Sequence, residues 1–375
     1  MNVLDGFRIT RDSSVPITNQ ICDQISWLIS TGELKPGAHL PPIRIAADAL
    51  GVHMHTIRSS YHLLEQSGLV STRPGEGTVV LDYAPFVHQA FEPNRGSHLI
   101  GILIPDLSPF FAEFLKGAEQ AARDKHFLIS IIKVGDNPAL AEKYLELLIA
   151  KNMDGVIVAS QNFSPQFQKK LDDGKIVIPF PVVYADVPNR LHSAVQLDSA
   201  GASFQAAIHL IEHGHSSIGL INAPQESLLG NEIYKGFQEG LRARGGGASQ
   251  LFIRTVSEFG IEAGYQAGIL LVSSGLKPTA VFSISDELAV GAMRAFKERG
   301  FKVPEDIAVI GYHDLEIASL VEPTLTSVSA PIHDLGMKSM NMLLELVGSG
   351  QKKYEDVLLP TKLVIRRSCG CSSAN

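Results

Sequence analysis

The sequence predicts a multi-domain chain, in which a small N-terminal α+β domain precedes a two-lobed α/β domain built on parallel sheets. Residues 1–82 are dense in short helical patterns that end in a hairpin pattern. From residue 98 onward, apolar strand runs alternate with helical patterns of about three turns or more, as in parallel sheets buried on both faces. These runs are too numerous for one small sheet, so we expect two α/β lobes. The length of 375 residues agrees with two or three packed units.

The composition limits the cellular compartments and the classes of binding partner that we expect for this protein. The chain is 45% hydrophobic and 19% charged with a formal net charge of −7, which is ordinary for a globular protein and points to no polyanionic partner. Three cysteines, Cys22, Cys369 and Cys371, fit a reducing compartment. The N-terminus lacks the regions of a signal peptide, and no uncharged apolar run approaches the ~18 to 20 residues of a membrane helix. We therefore expect a cytoplasmic protein that binds no membrane, and no motif implies a cofactor.

Three short helices and a hairpin are predicted in the first 82 residues. Isoleucines and leucines after Val15 recur at steps of four, three and one, which predicts an amphipathic helix. A proline pair opens a second helix over residues 44–50, and Gly51 turns the chain into a third over residues 56–66. The following runs flank Pro74-Gly75-Glu76-Gly77, whose glycines are typical of a hairpin tip. Helix, turn, helix and hairpin is the order of a winged helix-turn-helix, whose second helix enters the major groove of DNA.

This segment resembles the GntR family of bacterial transcription regulators over its whole length. The matching words are Val15-Pro16-Ile17, Gly32-Glu33-Leu34-Lys35-Pro36-Gly37, Leu40-Pro41, Arg44, Leu50-Gly51-Val52, Thr56-Ile57-Arg58, Leu64-Glu65, Ser67-Gly68-Leu69-Val70 and Gly75-Glu76-Gly77-Thr78. The resemblance implies a reader of double-stranded operator DNA. The candidate DNA contacts are Arg44, His53, His55, Thr56, Arg58, Gly75 and Gly77.

Each candidate has a role implied by the family pattern. Arg44 and Arg58 would grip phosphates or base edges, and Thr56 would bind a phosphate. The two glycines would let the wing approach the DNA backbone. The other interpretation is that both arginines are solvated helix residues with no DNA contact.

Several features of residues 1–82, which we call the head, depart from a typical DNA-binding domain. Met54 stands where the family usually has a polar or basic residue that contacts DNA. Glu76 stands at the tip of the hairpin, or wing, where the family is usually basic. Residues 1–82 hold six Lys and Arg against eight Asp and Glu, a net charge of −2. Few phosphates can then be neutralised per subunit, so we expect weak nonspecific affinity and a shallow salt dependence. Four histidines could partly compensate below about pH 6.5; they are His39, His53, His55 and His62.

A linker over residues 83–97 separates the head from a body over residues 98–368, with residues 369–375 as a tail. The linker contains prolines, glycine and asparagine without clear periodicity. Seven apolar runs predict strands in the body. They lie at residues 100–104, 129–132, 156–158, 182–184, 218–221, 281–284 and 307–310.

The body resembles the effector-binding domain of LacI/GalR-type repressors, which is similar to periplasmic sugar-binding proteins. The matching words are Ile104-Pro105-Asp106-Leu107-Ser108-Pro109-Phe110-Phe111, Asp154-Gly155-Val156-Ile157-Val158, Leu197-Asp198-Ser199-Ala200-Gly201, His209-Leu210-Ile211-Glu212-His213-Gly214-His215, Ile310-Gly311-Tyr312-His313-Asp314 and Pro323-Thr324-Leu325-Thr326-Ser327-Val328. A GntR-type head on a LacI-type body is the arrangement of arabinose-type repressors. The resemblance implies a small-molecule effector, a sugar or derivative, bound between the lobes. Because one lightly charged DNA-binding domain offers few contacts and two-fold pairing doubles them, we also expect a homodimer on a pseudo-palindromic operator.

The ligand contacts implied by this resemblance follow the predicted strands, because ligands of such folds bind at strand carboxyl ends. The candidates are Phe110, Phe111, Ser160, Gln161, Asp186, Phe259, Ser285 and His313. Two alternatives stay open at this point. The paired phenylalanines could belong to the core at a helix N-terminus, and Asp186 could cap a loop.

Three positions depart from the sugar-binding pattern. Ile233 replaces an arginine, His313 replaces the first acid of a Gly-aromatic-Asp-Asp word, and Ala330 replaces a polar residue. Losing a guanidinium removes bidentate donors for hydroxyls or carboxylates. We therefore expect a neutral ligand, either less hydroxylated than a hexose or bound through Asn231 and Glu232. Ile233 could instead join the apolar face of its helix.

Other patterns are given less weight. His209, His213 and His215 share a helix end but match an ordinary family word, so we expect no metal there. The Cys369-Gly370-Cys371 run could chelate metal or oxidise, but a frayed tail is the preferred interpretation. An α/β enzyme with a regulatory head is opposed by the lack of a visible nucleophile, base and orienting group. A transport protein is opposed by the DNA-type head.

Overall fold

The computed structural model describes the chain in segments. They are residues 7, 9, 16–30, 33–73, 77–81, 97–135, 137–151, 153–159, 178–187, 192–243, 250–273, 275, 277–349 and 354–371. The chain divides into two compact units. The first comprises Met1–Asp106, Ala122–Val183 and Met342–Lys353, and the second comprises Leu107–Ala121, Tyr184–Asn341 and Tyr354–Asn375.

Three helices form the head: α1 (Ile17–Ser30), α2 (Ile43–Leu50) and α3 (Met54–Gln66). Their apolar faces meet in one core that includes Ile21, Ile25, Ile57 and Leu64. Gly51 joins α2 to α3 in the left-handed conformation, φ 61°, which favours glycine. The three predicted helices are therefore confirmed, and α3 begins two residues earlier than predicted because His53 caps it.

The predicted hairpin is also present. Strands β1 (Val70–Arg73) and β2 (Gly77–Val80) pair antiparallel, with Arg73 opposite Gly77. His39 forms an isolated bridge to Val79, which ties the loop before α2 to the hairpin. Three residues of the turn, Pro74, Gly75 and Glu76, lie outside the described residues.

The first α/β sheet has six strands in the order β13-β7-β6-β5-β3-β4. The strands are β3 (Leu99–Ile104), β4 (Leu128–Lys133), β5 (Gly155–Val158), β6 (Val182–Ala185), β7 (Ser193–Leu197) and β13 (Asp356–Leu359). The ladders of β3 with β4 and β5, and of β7 with β13, are parallel. Helices α4 (Pro109–Asp124) and α5 (Pro138–Ala150) connect its first strands.

The second α/β sheet also has six strands, in the order β14-β12-β11-β10-β8-β9. They are β8 (Ser217–Asn222), β9 (Gln250–Thr255), β10 (Ala280–Ser283), β11 (Ala308–His313), β12 (Thr326–Ser329) and β14 (Lys362–Val364). All ladders are parallel except that of β14 with β12. The helices are α6 (Ser199–Glu212), α7 (Leu228–Ala243), α8 (Ile261–Ser273), α9 (Asp286–Glu298), α10 (Glu316–Leu320) and α11 (Ile332–Ser349).

The predicted fold class, a winged head and an α/β body with two parallel sheets, is confirmed by this arrangement. All seven predicted strand runs lie in strands or within one residue of them. Five strands were not predicted: β7, β9, β12, β13 and β14. Strand β12 reads Thr-Ser-Val-Ser, so its burial depends on hydrogen bonds that no apolar pattern reveals. Among the described residues, no helix is both long and apolar enough to cross a membrane.

Candidate functional site

The leading end of α3 presents most of its candidate DNA contacts to solvent. His53, Met54, His55 and Arg58 are exposed, and Thr56 is half-buried. His53 caps the helix, because its Nδ1 accepts a hydrogen bond from the backbone N–H of His55 at 3.3 Å. The opposite face of α3 is anchored in the head's core. This end can therefore lie against DNA without disturbing the packing.

The remaining candidates of the head lie on α2 and on the wing. Arg44 is exposed in the first turn of α2, and Gly77 has φ 84° at the start of β2. The Glu65 carboxylate on α3 accepts a hydrogen bond of 2.7 Å from the backbone N–H of Thr72, which ties the wing to this helix. Gly75 lies outside the described residues. These DNA contacts remain predictions.

An aromatic cluster in the second unit brings three predicted ligand contacts together. The rings of Phe110 and His313 lie 4.8 Å apart, and Phe110 meets Phe111 edge to face at 5.0 Å. Both phenylalanines are half-buried in the first turn of α4. The ring of Tyr312 stacks on that of His313, with ring centroids 4.1 Å apart. Such faces can pack against the C–H face of a small ring.

His313 carries the clearest unmet polar atom of this cluster. Its Nδ1 is buried and has no hydrogen-bond partner among the described residues. Removal from water lowers the pKa of the ring to about 3, so the imidazole is neutral at physiological pH and offers one donor and one acceptor. A buried polar atom without a partner costs about 1 to 3 kcal/mol. A ligand hydroxyl could remove that cost.

Asp186 follows β6, and one of its carboxylate oxygens caps a loop. Its Oδ1 accepts a hydrogen bond of 3.1 Å from the backbone N–H of Leu197, so the loop-cap interpretation is correct. Among the described residues no hydrogen bond is made to Oδ2, which is available to a ligand. Removal from bulk water raises the pKa of Asp186 to about 6, and the negative charge of Glu232 adds to the rise. The side chain nevertheless keeps some exposed surface.

The aromatic cluster and Asp186 belong to one neighbourhood. Burial raises the pKa of Tyr312, and the negative charge of Asp186 raises it further. The hydroxyl groups of Tyr312 and Ser199 lie 3.1 Å apart and share a hydrogen bond. Tyr312 thus connects the stacked His313 to the acidic side of the site.

A buried network behind His313 holds the turn that contains it. The Asp286 carboxylate accepts hydrogen bonds of 2.6 Å from the Ser327 hydroxyl and from the backbone N–H of Leu315. Arg366 forms an ion pair of 2.6 Å with Asp314. His313 and Asp314 have φ values of 97° and 58°, strained for side chains with a Cβ. These supporting residues were not predicted, since only the fold brings them together.

The other candidate ligand contacts have different outcomes. Ser285 is buried and caps α9, because its hydroxyl accepts a hydrogen bond of 3.2 Å from the backbone N–H of Leu288. Phe259 is 41% exposed just before α8, and no described contact joins it to the aromatic cluster. Ser160 and Gln161 lie outside the described residues.

Two of the three departures from the sugar-binding pattern lie at buried positions. Ile233 is fully buried on α7 beside Phe237, so the interpretation that it joins the helix's apolar face is confirmed. Ala330 is also buried. Neither position can supply a polar ligand contact.

The preferred interpretation of a frayed tail from residue 369 is wrong for its first residues. Cys369 is only 4% exposed, and its thiol accepts a hydrogen bond of 3.2 Å from the Thr326 hydroxyl. Cys371 lies 3.4 Å from the imidazole of His209. The two cysteines are therefore held by contacts with distant parts of the chain, which no local pattern could reveal.

Comparison with known proteins identifies both parts of the chain. The family model for "Bacterial regulatory proteins, gntR family" matches residues 17–80, and the model for "Periplasmic binding protein-like domain" matches residues 207–369. The chain is 29% identical over 330 residues to the HTH-type transcriptional regulator DegA of Bacillus subtilis, covering 86% of this chain and 96% of that one. It is 30% identical over 278 residues to the HTH-type transcriptional repressor CytR of Escherichia coli, covering 72% and 79%.

A solved structure agrees with these relatives. The LacI family transcriptional regulator from Enterococcus faecium with bound ribose superposes with a TM-score of 0.63 at 28% identity, covering 72% of this chain and 98% of that one. The chain belongs to the LacI-type family of bacterial transcription regulators, and its head is of GntR type. It is a DNA-binding transcription regulator whose α/β body is of the effector-binding kind.

Proposed function

We propose that this regulator is a homodimeric repressor whose operator affinity is controlled by a neutral sugar or sugar derivative. The observation that carries the effector proposal is the unpartnered Nδ1 of His313 beside the ring of Phe110. Asp186 lies on the acidic side of the same neighbourhood with one carboxylate oxygen available to hydroxyls. Sugars need this combination of an apolar face and polar atoms that take hydroxyl groups.

The relatives support both halves of this proposal. One is named a repressor, and one solved neighbour contains ribose. A ligand moves the equilibrium between two conformations only by its different affinity for each, and such couplings typically amount to about 1 to 3 kcal/mol. We infer that ligand binding acts on operator affinity in this range. We further propose that the protein works in the cytoplasm, where its DNA is, without enzymatic activity.

The domain boundaries stay part of the proposal. We assign DNA binding to residues 1–82, joined by a linker at 83–97 to effector binding and dimerisation at 98–368. Ser160 and Gln161 remain proposed ligand contacts, as do Phe111, Phe259 and the hydroxyl of Ser285.

The test uses the full-length protein and a panel of neutral pentoses and hexoses, starting with ribose. Calorimetry measures sugar affinity, and a gel shift measures affinity for the upstream region of the protein's own gene. Asp186→Asn keeps an oxygen for the Leu197 N–H but removes the charge. We expect it to weaken sugar binding by about 1.5 to 3 kcal/mol, roughly 10- to 150-fold, the range for hydrogen bonds to charged groups.

The matched control is Asp334→Asn, since the Asp334 side chain is 60% exposed. We expect it to bind sugar and DNA as the unmodified protein does. Operator binding without sugar should be unchanged in both variants. If no sugar changes either the melting temperature or the operator affinity, the effector is not a sugar. If Asp186→Asn abolishes DNA binding too, Asp186 has a structural role instead.

A further inference from the structure

Three side chains that suit a thiophilic metal ion meet in the second unit. The ligand atoms of His209, Cys369 and Cys371 all lie within 4.8 Å of one another. The closest pair is the Sγ of Cys371 and the Nε2 of His209, at 3.4 Å. Neither the effector proposal nor DNA binding uses any of these residues.

The cluster is held by elements that are far apart in the sequence. His209 lies in the last turn of α6 and is buried. Next to Cys369, the Ser368 hydroxyl donates a hydrogen bond of 2.6 Å to the carbonyl of Val309 at the start of β11. Gly370 has φ 80°, a conformation that favours glycine and turns the chain between the two cysteines. The second thiol is thereby brought back toward the imidazole.

The spacing is close to that of a tetrahedral zinc site. With Zn–S near 2.3 Å and Zn–N near 2.0 to 2.1 Å, tetrahedral angles place sulfur and nitrogen ligands about 3.6 Å apart and two sulfurs about 3.8 Å apart. The observed 3.4 Å between Cys371 and His209 matches the first value. The 4.8 Å limit on all three pairs means that shifts of about 1 Å complete the geometry.

We propose that His209 Nε2, Cys369 Sγ and Cys371 Sγ bind one Zn²⁺ ion per chain, with water in the fourth position. Binding would convert both thiols to thiolates and release their protons to solvent. The ion would tie the segment after β14 to the end of α6. The site lies at the start of β11 and β12, whereas His313 lies at the far end of β11, so it is distinct from the proposed effector site.

The alternative use of two neighbouring cysteines is a disulfide. A disulfide would leave the imidazole without a role, although its Nε2 is the atom that faces the Cys371 thiol. Thiolate and imidazole together are a typical ligand set for zinc. The ligand set therefore favours the metal.

The experiment uses the full-length protein, reduced and freed of metal by a chelator. Zn²⁺ is titrated in competition with a chromophoric chelator, and Co²⁺ serves as a spectroscopic probe of thiolate ligation. We expect one ion per chain and thiolate-to-cobalt charge-transfer absorption. Cys371→Ser, at a partly exposed position, should weaken Zn²⁺ binding by at least about 10-fold and reduce the charge-transfer band.

Cys22→Ser is the matched control, because Cys22 lies in the head and its thiol donates to the carbonyl of Ser60. It should bind Zn²⁺ and Co²⁺ as the unmodified protein does. Circular dichroism confirms that both variants are folded, and His209→Gln provides a second variant at the same site. Equal Zn²⁺ affinity in Cys371→Ser and the unmodified protein overturns the proposal. So does a reduced protein that binds no Zn²⁺ but forms a Cys369–Cys371 disulfide in air.

Discussion

Arg58 lies one turn into α3 with its side chain exposed, on the same leading end as Met54 and His55. The head's net charge of −2 leaves few other cations for DNA, so we expect this guanidinium to contribute a large share of the contact. A bidentate arginine contact with a base is worth about 1 to 3 kcal/mol of discrimination. Arg58 is therefore the residue whose loss should be most visible.

We predict that Arg58→Ala weakens operator binding by about 1 to 3 kcal/mol while leaving sugar binding unchanged. Fluorescence anisotropy with operator and scrambled duplexes measures the effect. The control is Arg73→Ala, at the wing side of the head, which should weaken both duplexes similarly. Equal loss on operator and scrambled DNA for Arg58→Ala would mean that Arg58 contacts only phosphate.

We predict that the titration of Asp186 makes effector binding depend on pH. Its pKa is raised to about 6, mainly by removal from water. The ionised carboxylate accepts ligand hydroxyls more strongly than the protonated form, so sugar affinity should fall as the pH drops below 6. His313, with a pKa near 3, does not titrate in this range, while Glu232, whose pKa is also raised, faces the same region.

Calorimetry between pH 5 and 8 on the unmodified protein and on Asp186→Asn tests this dependence. We expect a decrease of at most 10-fold per pH unit below 6 in the unmodified protein and a flatter profile in the variant. Parallel profiles would assign the titration to another group, of which Glu232→Gln is the next to examine.

At the scale of elements, Asp286 links α9 to β11 and β12. Its carboxylate is fully buried, and a Cβ at Gly311 would lie within 2.1 Å of its Oδ1. Burial raises the pKa of Asp286 to about 7, and the negative charge of Asp314 adds to the rise. The folded protein thus holds this proton more tightly than the unfolded chain, whose aspartates titrate near 3.8.

Linkage gives the sign of the effect on stability. Because the folded-state pKa is raised, the contribution of Asp286 is largest below pH 4 and is lost as the pH rises toward 7. Asp286→Asn removes this pH-dependent loss. The free energy of unfolding of the variant, minus that of the unmodified protein, should therefore increase as the pH rises from 4 to 7. Each unit of pKa difference corresponds to about 1.36 kcal/mol.

Thermal unfolding at several pH values compares Asp286→Asn with Asp334→Asn, an exposed control. Taking the difference between variant and unmodified protein removes the opposing contributions of His209 and His313, whose pKa values are lowered. A difference that is independent of pH would show that Asp286 is ionised throughout.

At the scale of the whole molecule, a weakly charged head favours dimeric binding. One head offers few phosphate contacts, and two-fold pairing doubles them. We predict a mass of twice the 40.5 kDa chain in light scattering at micromolar concentration. Footprinting should reveal two half-sites related by a pseudo-two-fold axis. A monomer that still protects a single half-site with full affinity would contradict this prediction.

Much of the fold could be predicted from the sequence alone. The helix order, the turn at Gly51 and the seven apolar strand runs depend on local periodicity and turn chemistry, which a sequence displays directly. The apolar face that includes Ile233 was visible for the same reason. These features determined the fold class and, through the family words, a DNA-binding regulator.

Only the tertiary structure decided which polar groups meet. His209 and Cys371 are 162 positions apart, and Asp286 and Ser327 are 41 apart. Neither pair leaves a trace in local spacing, because their proximity follows from how parallel strands and their connections pack. The unpartnered nitrogen of His313 is likewise a property of burial, which depends on every element around it. Local pattern therefore determined the architecture, and long-range packing determined the chemistry of its sites.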